Sequence, residues 1–437
     1  MTIEGRLDTR AGPAGPGAAT LDDAAPALSR GLTLLFSVAC GLAVANAYYA
    51  QPLLDAMADD FGIGRAVIGL VMTTTQVGYG LGLLLVVPLG DILDRRRLIV
   101  SQSLLASAAL LGVACARSEA VMLVAMAAVG MLAVVTQVLV AYAGTLAAPT
   151  ERGRAVGIVT SGVIIGIMLV RSVSGTLADL FGWRSVYLVS AAATLIVAIL
   201  LFRSLPRRHA AGGQVPYFRL IGSVFTLYLE EPILRVRATL ALLIFAAVNT
   251  LWTPMVLPLS APPLSLSHTE VGLFGFAGAM GAVGAATAGR FADRGYAQRT
   301  TGIALAIMLV AWLPIAVLPH SILGLIVGVV MIDFGLQAVH VSNQSLIFRV
   351  RPEARSRLTG AYMIFYSIGC GAGAIASTLV YAHAGWSGVC LLGAAISAAA
   401  IVFWIMTRNM TPELEKPEQL SVPQTLTSRP AKGSGGH

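Results

Sequence analysis

Two ionisable side chains stand deep inside apolar runs of this sequence, the carboxyl group of Asp333 and the guanidinium group of Arg171. An ionisable group at the centre of a bilayer costs at least about 2.5–3.5 kcal/mol, so it normally has a partner or faces an aqueous cavity. Asp333 lies about 18 Å along a helix from Ser321, close to the midplane of a bilayer. The predicted chemistry is proton exchange at Asp333. The simpler alternative is a static Asp333–Arg171 pair that only joins two helices.

Asp333 also begins a polar stripe within its apolar run. Gln337, His340 and Gln344 follow it at intervals of four, three and four residues, which places all four side chains on one face of a helix. We expect this face to line a cavity, with His340 as a proton relay or a substrate ligand. Competition between a proton and a substrate for Asp333 would then couple the two movements, with Arg171 close enough to influence the exchange.

Further polar and aromatic side chains interrupt the apolar runs and predict a substrate site. They are Asn46, Tyr49, Gln51, Gln76, Tyr79, Gln137, Asn249, Trp252, Gln337, Asn343, Tyr362 and Tyr366. A mixed aromatic and amide lining suits an amphipathic or sugar-like solute better than a multiply charged one. Each of these side chains can instead form an ordinary hydrogen bond between helices, so the set predicts more than any one member does.

The elements that position these residues are membrane helices. Of the 437 residues, 57% are hydrophobic and only 11% are charged, which is too few to cover a soluble surface. Runs such as 98–116 and 188–202 are nearly continuously apolar and do not alternate as barrel strands would. At about 20 residues a span, the chain has room for about a dozen transmembrane helices.

The expected domain organisation follows from these runs. It comprises a disordered cytoplasmic tail (1–30), a six-helix bundle (31–202), a cytoplasmic linker (203–237), a second six-helix bundle (238–407) and a second disordered tail (408–437). The lysines and arginines fall almost entirely on the side of the two termini, so both termini are predicted to be cytoplasmic in a bacterial inner membrane. The net charge of +8 therefore reflects topology and does not indicate a nucleic-acid partner.

An internal repeat relates the two bundles. Asp91 returns as Asp293, the segment 151–157 returns as 353–360, and Gly182-Trp183 returns as Gly385-Trp386, always about 200 residues later. Each half holds an even number of spans, so the two halves have the same orientation in the membrane. The sequence therefore predicts an all-α membrane protein built from two parallel six-helix repeats.

At these residues the chain resembles the major facilitator superfamily. The family's loop after the second span, Gly-x-Leu-Ala-Asp-Arg-x-Gly-Arg-Arg, is matched here at Leu89, Asp91, Arg95 and Arg96, with a second copy at Asp293 and Arg294. The resemblance implies that the first, fourth, seventh and tenth spans line the cavity. We expect Asp91, Arg95, Arg96, Asp293 and Arg294 to gate it as a cytoplasmic latch, although the arginines alone would serve equally as a membrane anchor.

The resemblance extends to the drug:proton antiporters and to the sugar and nucleoside efflux permeases of this family. The antiporter Gly-Pro of the fifth span is replaced here by Val170-Arg171. The predicted function is proton-coupled efflux of a small organic solute, with proton symport or facilitated uptake as the alternative. A membrane sensor or enzyme is disfavoured because the sequence contains no soluble domain and no convergent catalytic motif. We expect no cofactor or metal, and a monomer whose partners are the solute, protons and the lipid bilayer.

Overall fold

The computed structural model describes residues 29–148, 151–206, 216–278, 280–318, 320–350 and 355–410. Within these ranges, eleven helical segments are long and apolar enough to cross a membrane. The last of them has 54 residues and turns back at Gly385, so it is long enough for two crossings. The prediction of an all-α membrane protein with about twelve spans is confirmed.

Eight helices form the first half, one lies between the halves, and eight form the second half. The first half contains α1 (Arg30–Tyr48), α2 (Leu54–Phe61), α3 (Leu70–Leu85), α4 (Arg95–Ala114), α5 (Glu119–Ala133), α6 (Val135–Leu146), α7 (Arg152–Phe181) and α8 (Trp183–Ser204). The intervening helix is α9 (Tyr217–Glu230). The second half contains α10 (Pro232–Trp252), α11 (Val256–Ser260), α12 (His268–Ala277), α13 (Met280–Asp293), α14 (Ala297–Val310), α15 (Trp312–Ala316), α16 (Ile322–Val350) and α17 (Arg355–Thr407).

Side-chain caps fix where several of these helices begin. Asp94 accepts a hydrogen bond from the backbone N–H of Arg97 over 2.8 Å at the start of α4. Ser267 and Glu270 form a reciprocal capping box at the start of α12. These bonds satisfy N–H groups that a helix cannot pair internally, so they fix the points at which the chain enters the membrane.

Two repeat-related glycines turn the chain between antiparallel helices. Gly182 (φ 80°) separates α7 from α8, and Gly385 (φ 62°) separates the two limbs of α17. A residue with a side chain is strained at such positive φ values, so both turns need glycine. A tryptophan comes directly after each of these glycines in the chain. The indole N–H of Trp183 donates to Asp60 over 3.1 Å, and that of Trp386 donates to the Ile315 carbonyl over 3.0 Å. The repeat in the sequence is thus a repeat of local structure.

Two spans are interrupted at proline. Pro52 lies in a short 3₁₀ turn between α1 and α2, and Pro254 lies between α10 and α11. Proline cannot donate to the helical hydrogen-bond ladder, so the helix breaks locally at each. The eighth span comprises α12, which ends at Ala277, and α13, which begins at Met280.

The two halves meet mainly on one side of the membrane. We call the side where α1 begins and α17 ends the terminal face, and the opposite side the distal face. On the distal side, α7 packs against α12 and α3 packs against the first limb of α17. On the terminal side α9 contacts both halves, because Tyr217 donates to the Leu85 carbonyl over 2.6 Å and Tyr228 donates to the Ala361 carbonyl over 3.1 Å.

The division into two bundles, a linker and two tails stays a prediction. The helix α8 ends at Ser204 and α10 begins at Pro232, near the expected linker of 203–237. The helix α9 lies within the range of that expected linker. Both expected tails lie almost entirely outside the described residues.

Candidate functional site

Asp333 lies in the middle of α16 with 8% of its surface exposed. The indole N–H of Trp252, at the end of α10, donates to one carboxyl oxygen of Asp333 over 3.2 Å. Burying a carboxyl group is costly unless it is hydrogen-bonded, and Trp252 supplies such a bond within the second half. The sequence places both residues in the site but does not indicate that they form a pair.

Arg171 approaches the same tryptophan from the first half. Its guanidinium carbon lies 3.6 Å from the centre of the Trp252 ring, which is a close cation–π contact. The guanidinium group also donates twice to the side-chain oxygen of Gln51, over 2.9 and 3.2 Å. Among the residues that the structure describes, no ion pair joins Arg171 directly to Asp333. The two charges are therefore linked through Trp252.

Three glycines of the α12 span allow close packing here, two of them against Arg171 of the first half and one against Asp333 within the second half. A side-chain carbon added at Gly272 would lie 2.5 Å from the Arg171 carbonyl oxygen, and one at Gly275 would lie 3.3 Å from the Arg171 β-carbon. One added at Gly278, just after α12, would lie 2.7 Å from a carboxyl oxygen of Asp333. The sequence analysis misses these residues, although their spacing of three places them along one side of a helix.

The polar stripe continues from Asp333 towards the terminal face. His340 contacts the Tyr362 hydroxyl through its Nδ1 atom over 2.9 Å and packs edge-on against the ring of Phe245. Asn343 is fully buried and lies within 3.5 Å of both Tyr362 and Arg237. These contacts all lie within the second half.

Gln337 occupies the position between Asp333 and His340 on this stripe and is partly exposed. A side-chain carbon added at Gly281 would lie 3.0 Å from the γ-carbon of Gln337. Gln337 therefore lies beside the first turn of α13.

A cluster of tyrosines joins the halves beside this stripe. The hydroxyl groups of Tyr48 and Tyr366 are hydrogen-bonded to each other across the interface. Tyr79 stacks edge-on against Tyr366 with 6.0 Å between ring centres, and its hydroxyl accepts from Gln137 over 3.3 Å. Phe245 contacts the same ring of Tyr366 at 4.3 Å. The structure thus brings three predicted residues together and adds Tyr48, which the sequence analysis does not select.

Two buried side-chain oxygens near this cluster lack a hydrogen-bond partner within the described part of the chain. They belong to Gln76, in α3, and Asn249, in α10. The amide nitrogen of Asn249 donates to the Phe245 carbonyl and to the Cys370 sulfur, each over 3.0 Å, so the orientation of this amide is fixed. Buried acceptors are usually paired, so each of these oxygens is a candidate acceptor for a donor group of a ligand.

Two predicted residues form their hydrogen bonds or ring contacts within the first half. Asn46 accepts from Ser190 over 2.5 Å and donates to Thr194 over 3.4 Å, which joins α1 to α8. Tyr49 packs edge-on against Tyr187. Contacts of this kind hold helices together within a bundle. The assignment of Asn46 and Tyr49 to a substrate site stays a prediction.

The predicted gating residues fall at the terminal face. Arg95 donates to Gly90 and Thr145, each over 3.2 Å, and Arg96 donates to the Phe202 carbonyl, so these bonds stay within the first half. Arg294 is exposed. The side chains of Asp91 and Asp293 lie outside the described part of the structure, so the latch assigned to them stays a prediction.

A different polar cluster joins the halves at the distal face. His268, at the start of α12, contacts Asp55 through Nε2 over 3.1 Å and Asp179 through Nδ1 over 2.8 Å. Asp179 also accepts from the backbone N–H groups of His268 and Thr269, and from the Thr269 hydroxyl. We call His268, Asp55 and Asp179 the distal latch. Sequence analysis misses it because its members stand at span ends, where charged residues are unremarkable.

Comparison with known proteins identifies relatives over nearly the whole chain. A family model described as Major Facilitator Superfamily matches residues 35–373 and 238–433. The uncharacterized transporter YgaY of Escherichia coli O157:H7 is 46% identical over 377 residues, which cover 86% of this chain and 95% of that protein. A protein of Mannheimia succiniciproducens named "Probable sugar efflux transporter" is 23% identical over 363 residues, or 81% of this chain and 88% of that protein.

The fold is also similar to solved structures. A bacterial homologue of the human lysosomal transporter Spinster, in an inward-facing and unoccupied conformation, superimposes with a TM-score of 0.71. The sequences are 16% identical, and the match covers 87% of this chain and 96% of that one. At this identity the likeness concerns the fold and carries no information on the substrate.

Proposed function

Since this chain belongs to the major facilitator superfamily and is a membrane transporter of that family, we propose that it exports a small organic solute in exchange for protons. Two six-helix halves would alternate between an opening at the terminal face and an opening at the distal face. The observation that carries the proton coupling is the linkage of Asp333 to Arg171 through Trp252. It places the one deeply buried acid of the described spans at a contact between the halves.

Protonation of Asp333 would change the energy of that contact. A negative Asp333 attracts the Arg171 guanidinium from across the ring of Trp252, and electrostatic attraction is strong where water is excluded. Adding a proton removes this attraction and leaves Arg171 held by Gln51 and by the indole ring. The halves would then separate more readily around α12, so that proton binding and the change of access become coupled.

The side chains at the contact between the halves support an uncharged or weakly charged substrate. Tyr48, Tyr79 and Tyr366 offer aromatic faces and hydroxyl groups, while the orphaned oxygens of Gln76 and Asn249 require hydrogen-bond donors. A solute with hydroxyl or amino groups on an apolar or ring-shaped frame matches this combination. Sugar-like and nucleoside-like metabolites and amphipathic drugs have that chemistry.

Proton symport or facilitated uptake is the second candidate. The replacement of the antiporter Gly-Pro by Val170-Arg171 favours it, because α7 continues without a break from Arg152 to Phe181. The same site would serve transport in either direction, so direction must be measured.

The test is solute movement in inverted membrane vesicles with an imposed pH gradient. For export, acidification of the lumen should drive uptake of the solute into vesicles that contain the native chain. Asp333→Asn should abolish the effect of the gradient while leaving exchange of labelled for unlabelled solute. Asp59→Asn, which changes an exposed acid, is the matched control. Undiminished gradient-driven uptake in Asp333→Asn would remove the proton role, and gradient-driven loss of solute would favour symport.

A further inference from the structure

A crevice of about 340 Å³ lies between α13, α14 and α16, on the outer side of the second half. Its walls are almost wholly apolar and include Ala288, Phe291, Ile303, Ala304, Ile307 and Phe334. Ile303 is 65% exposed and Phe291 is 41% exposed, so the crevice opens at the surface of the bundle. Since these residues belong to membrane spans, it opens towards lipid.

The crevice is separate from the candidate transport site. Phe334 lines it, whereas the preceding residue, Asp333, contacts Trp252 on another side of α16. A glycine at position 284 lets α13 pack against α16, because an added side-chain carbon there would lie 2.5 Å from the Phe334 carbonyl oxygen. The small side chains of Thr287 and Ala288 leave space beside this contact on the side of α14.

The α13–α14 hairpin at the terminal end of the crevice carries three arginines and one acid, Asp293. Arg299 lines the crevice, and its guanidinium carbon lies 5.5 Å from the centre of the Tyr296 ring. Arg290 and Arg294 are exposed on the same α13–α14 hairpin. Basic clusters between spans at a membrane surface attract anionic lipid headgroups, and apolar grooves beside them accept acyl chains.

We propose that this crevice binds an anionic phospholipid, with one acyl chain between α13 and α14 and the headgroup phosphate at Arg299. The length fits. Arg299 and Ile307 are about 12 Å apart along α14 at about 1.5 Å per residue, while one leaflet has about 15 Å of hydrocarbon. The bound lipid would hold α14 against α13 and α16, so it would stabilise the second half as a unit.

Lipid retention on the purified full chain tests the proposal. The native chain would be equilibrated with dioleoyl phosphatidylglycerol or with dioleoyl phosphatidylcholine, which have the same acyl chains, and the retained lipid would be counted by native mass spectrometry. The melting temperature would be followed in parallel. We expect one retained phosphatidylglycerol, roughly fivefold preferred over phosphatidylcholine, and a higher melting temperature with phosphatidylglycerol only.

Three variants locate the bound lipid. Arg299→Gln should lose the preference for the anionic lipid, and Arg203→Gln, at an exposed arginine of the same face in the first half, should retain it. Thr287→Phe should fill the crevice and prevent retention of either lipid. If Thr287→Phe does not purify as a single species, Thr300→Phe fills the crevice from α14 instead.

Two results would overturn the proposal. One is native-like retention of phosphatidylglycerol in both Arg299→Gln and a crevice-filled variant, which would place the lipid elsewhere. The other is an equal rise in melting temperature with inorganic phosphate alone, which would indicate an anion site without an acyl chain.

Discussion

Trp252 donates its indole N–H to Asp333 over 3.2 Å, and this bond joins the end of α10 to the middle of α16. The face of the same indole carries the Arg171 guanidinium at 3.6 Å. One side chain therefore contacts the buried acid by its edge and the buried base by its face. Any change in the charge of either group acts on the contact between the halves through this ring.

Replacing Trp252 by phenylalanine keeps an aromatic ring and removes the N–H donor. We expect the free energy of unfolding to fall by about 1–3 kcal/mol, because the buried carboxyl group of Asp333 loses a partner. Gradient-driven flux should fall as well, since the carboxyl group is no longer oriented. Trp404→Phe is the control, because it removes the comparable indole bond to Gln298 far from the site. Equal flux in the two variants would contradict a special role for the Trp252 bond.

The bond between Arg171 and Gln51 can be measured by a double-mutant cycle. Arg171→Met, Gln51→Met and the double variant should give a coupling energy of about 1.5–3 kcal/mol, the range for a hydrogen bond to a charged group. The measurement is the free energy of unfolding in mixed micelles. A coupling energy below about 0.5 kcal/mol would mean that Gln51 does not hold the guanidinium.

His268 should keep the distal face closed when its ring is doubly protonated. Both ring nitrogens contact carboxylate oxygens, and both can donate only in the imidazolium form. We expect raised pH, or His268→Gln at any pH, to increase the distally open population by on the order of tenfold. Spin-label distances between Thr176→Cys and Leu273→Cys, in a background free of native cysteine, would report the opening.

The control for this prediction is His320→Gln, which changes an exposed histidine at the same face. It should retain the pH response of the native chain. A His268→Gln variant that opens no more than His320→Gln would show that the distal latch does not set the equilibrium.

Gly278 should tolerate no side chain. An alanine β-carbon there would lie 2.7 Å from a carboxyl oxygen of Asp333, so either the acid or the end of α12 must move. We expect Gly278→Ala to lower the free energy of unfolding by about 1–3 kcal/mol and to reduce transport. Gly157→Ala, in α7, meets nothing within 4 Å and should be neutral or stabilising by up to about 1 kcal/mol. Native-like transport in Gly278→Ala would contradict the close fit.

The sequence predicts the architecture well, because long apolar runs indicate the membrane spans and repeated residues indicate the two halves. Gly182 and Gly385 recur in the sequence and are both turn glycines in the structure. The sequence also selects Asp333 and Arg171, since an ionisable group stands out against an apolar background. It does not predict that Trp252 lies between them, because that contact depends on the packing of three helices from two halves.

Other features of the site carry a weaker sequence signal. Tyr48 and the glycines of α12 resemble many residues of ordinary spans, and only their positions across the interface distinguish them. The distal latch joins Asp55, Asp179 and His268, which are far apart in the chain and stand among other charged residues at span ends. No local pattern links such residues, so only the fold brings them together.

The position of α9 has a consequence for the direction in which the halves can separate. Its hydrogen bonds reach the terminal ends of α3 and α17, the same two helices that are joined on the distal side by the bond from Thr73 to the Gly371 carbonyl. That edge of the molecule is joined at the terminal face and again nearer the distal side, whereas the contacts of α7 with the second half described above lie in its distal part. The rotation axis should therefore run along the α3–α17 edge, and the aperture at the terminal face should be wedge-shaped, widest on the flank formed by α7 and α13.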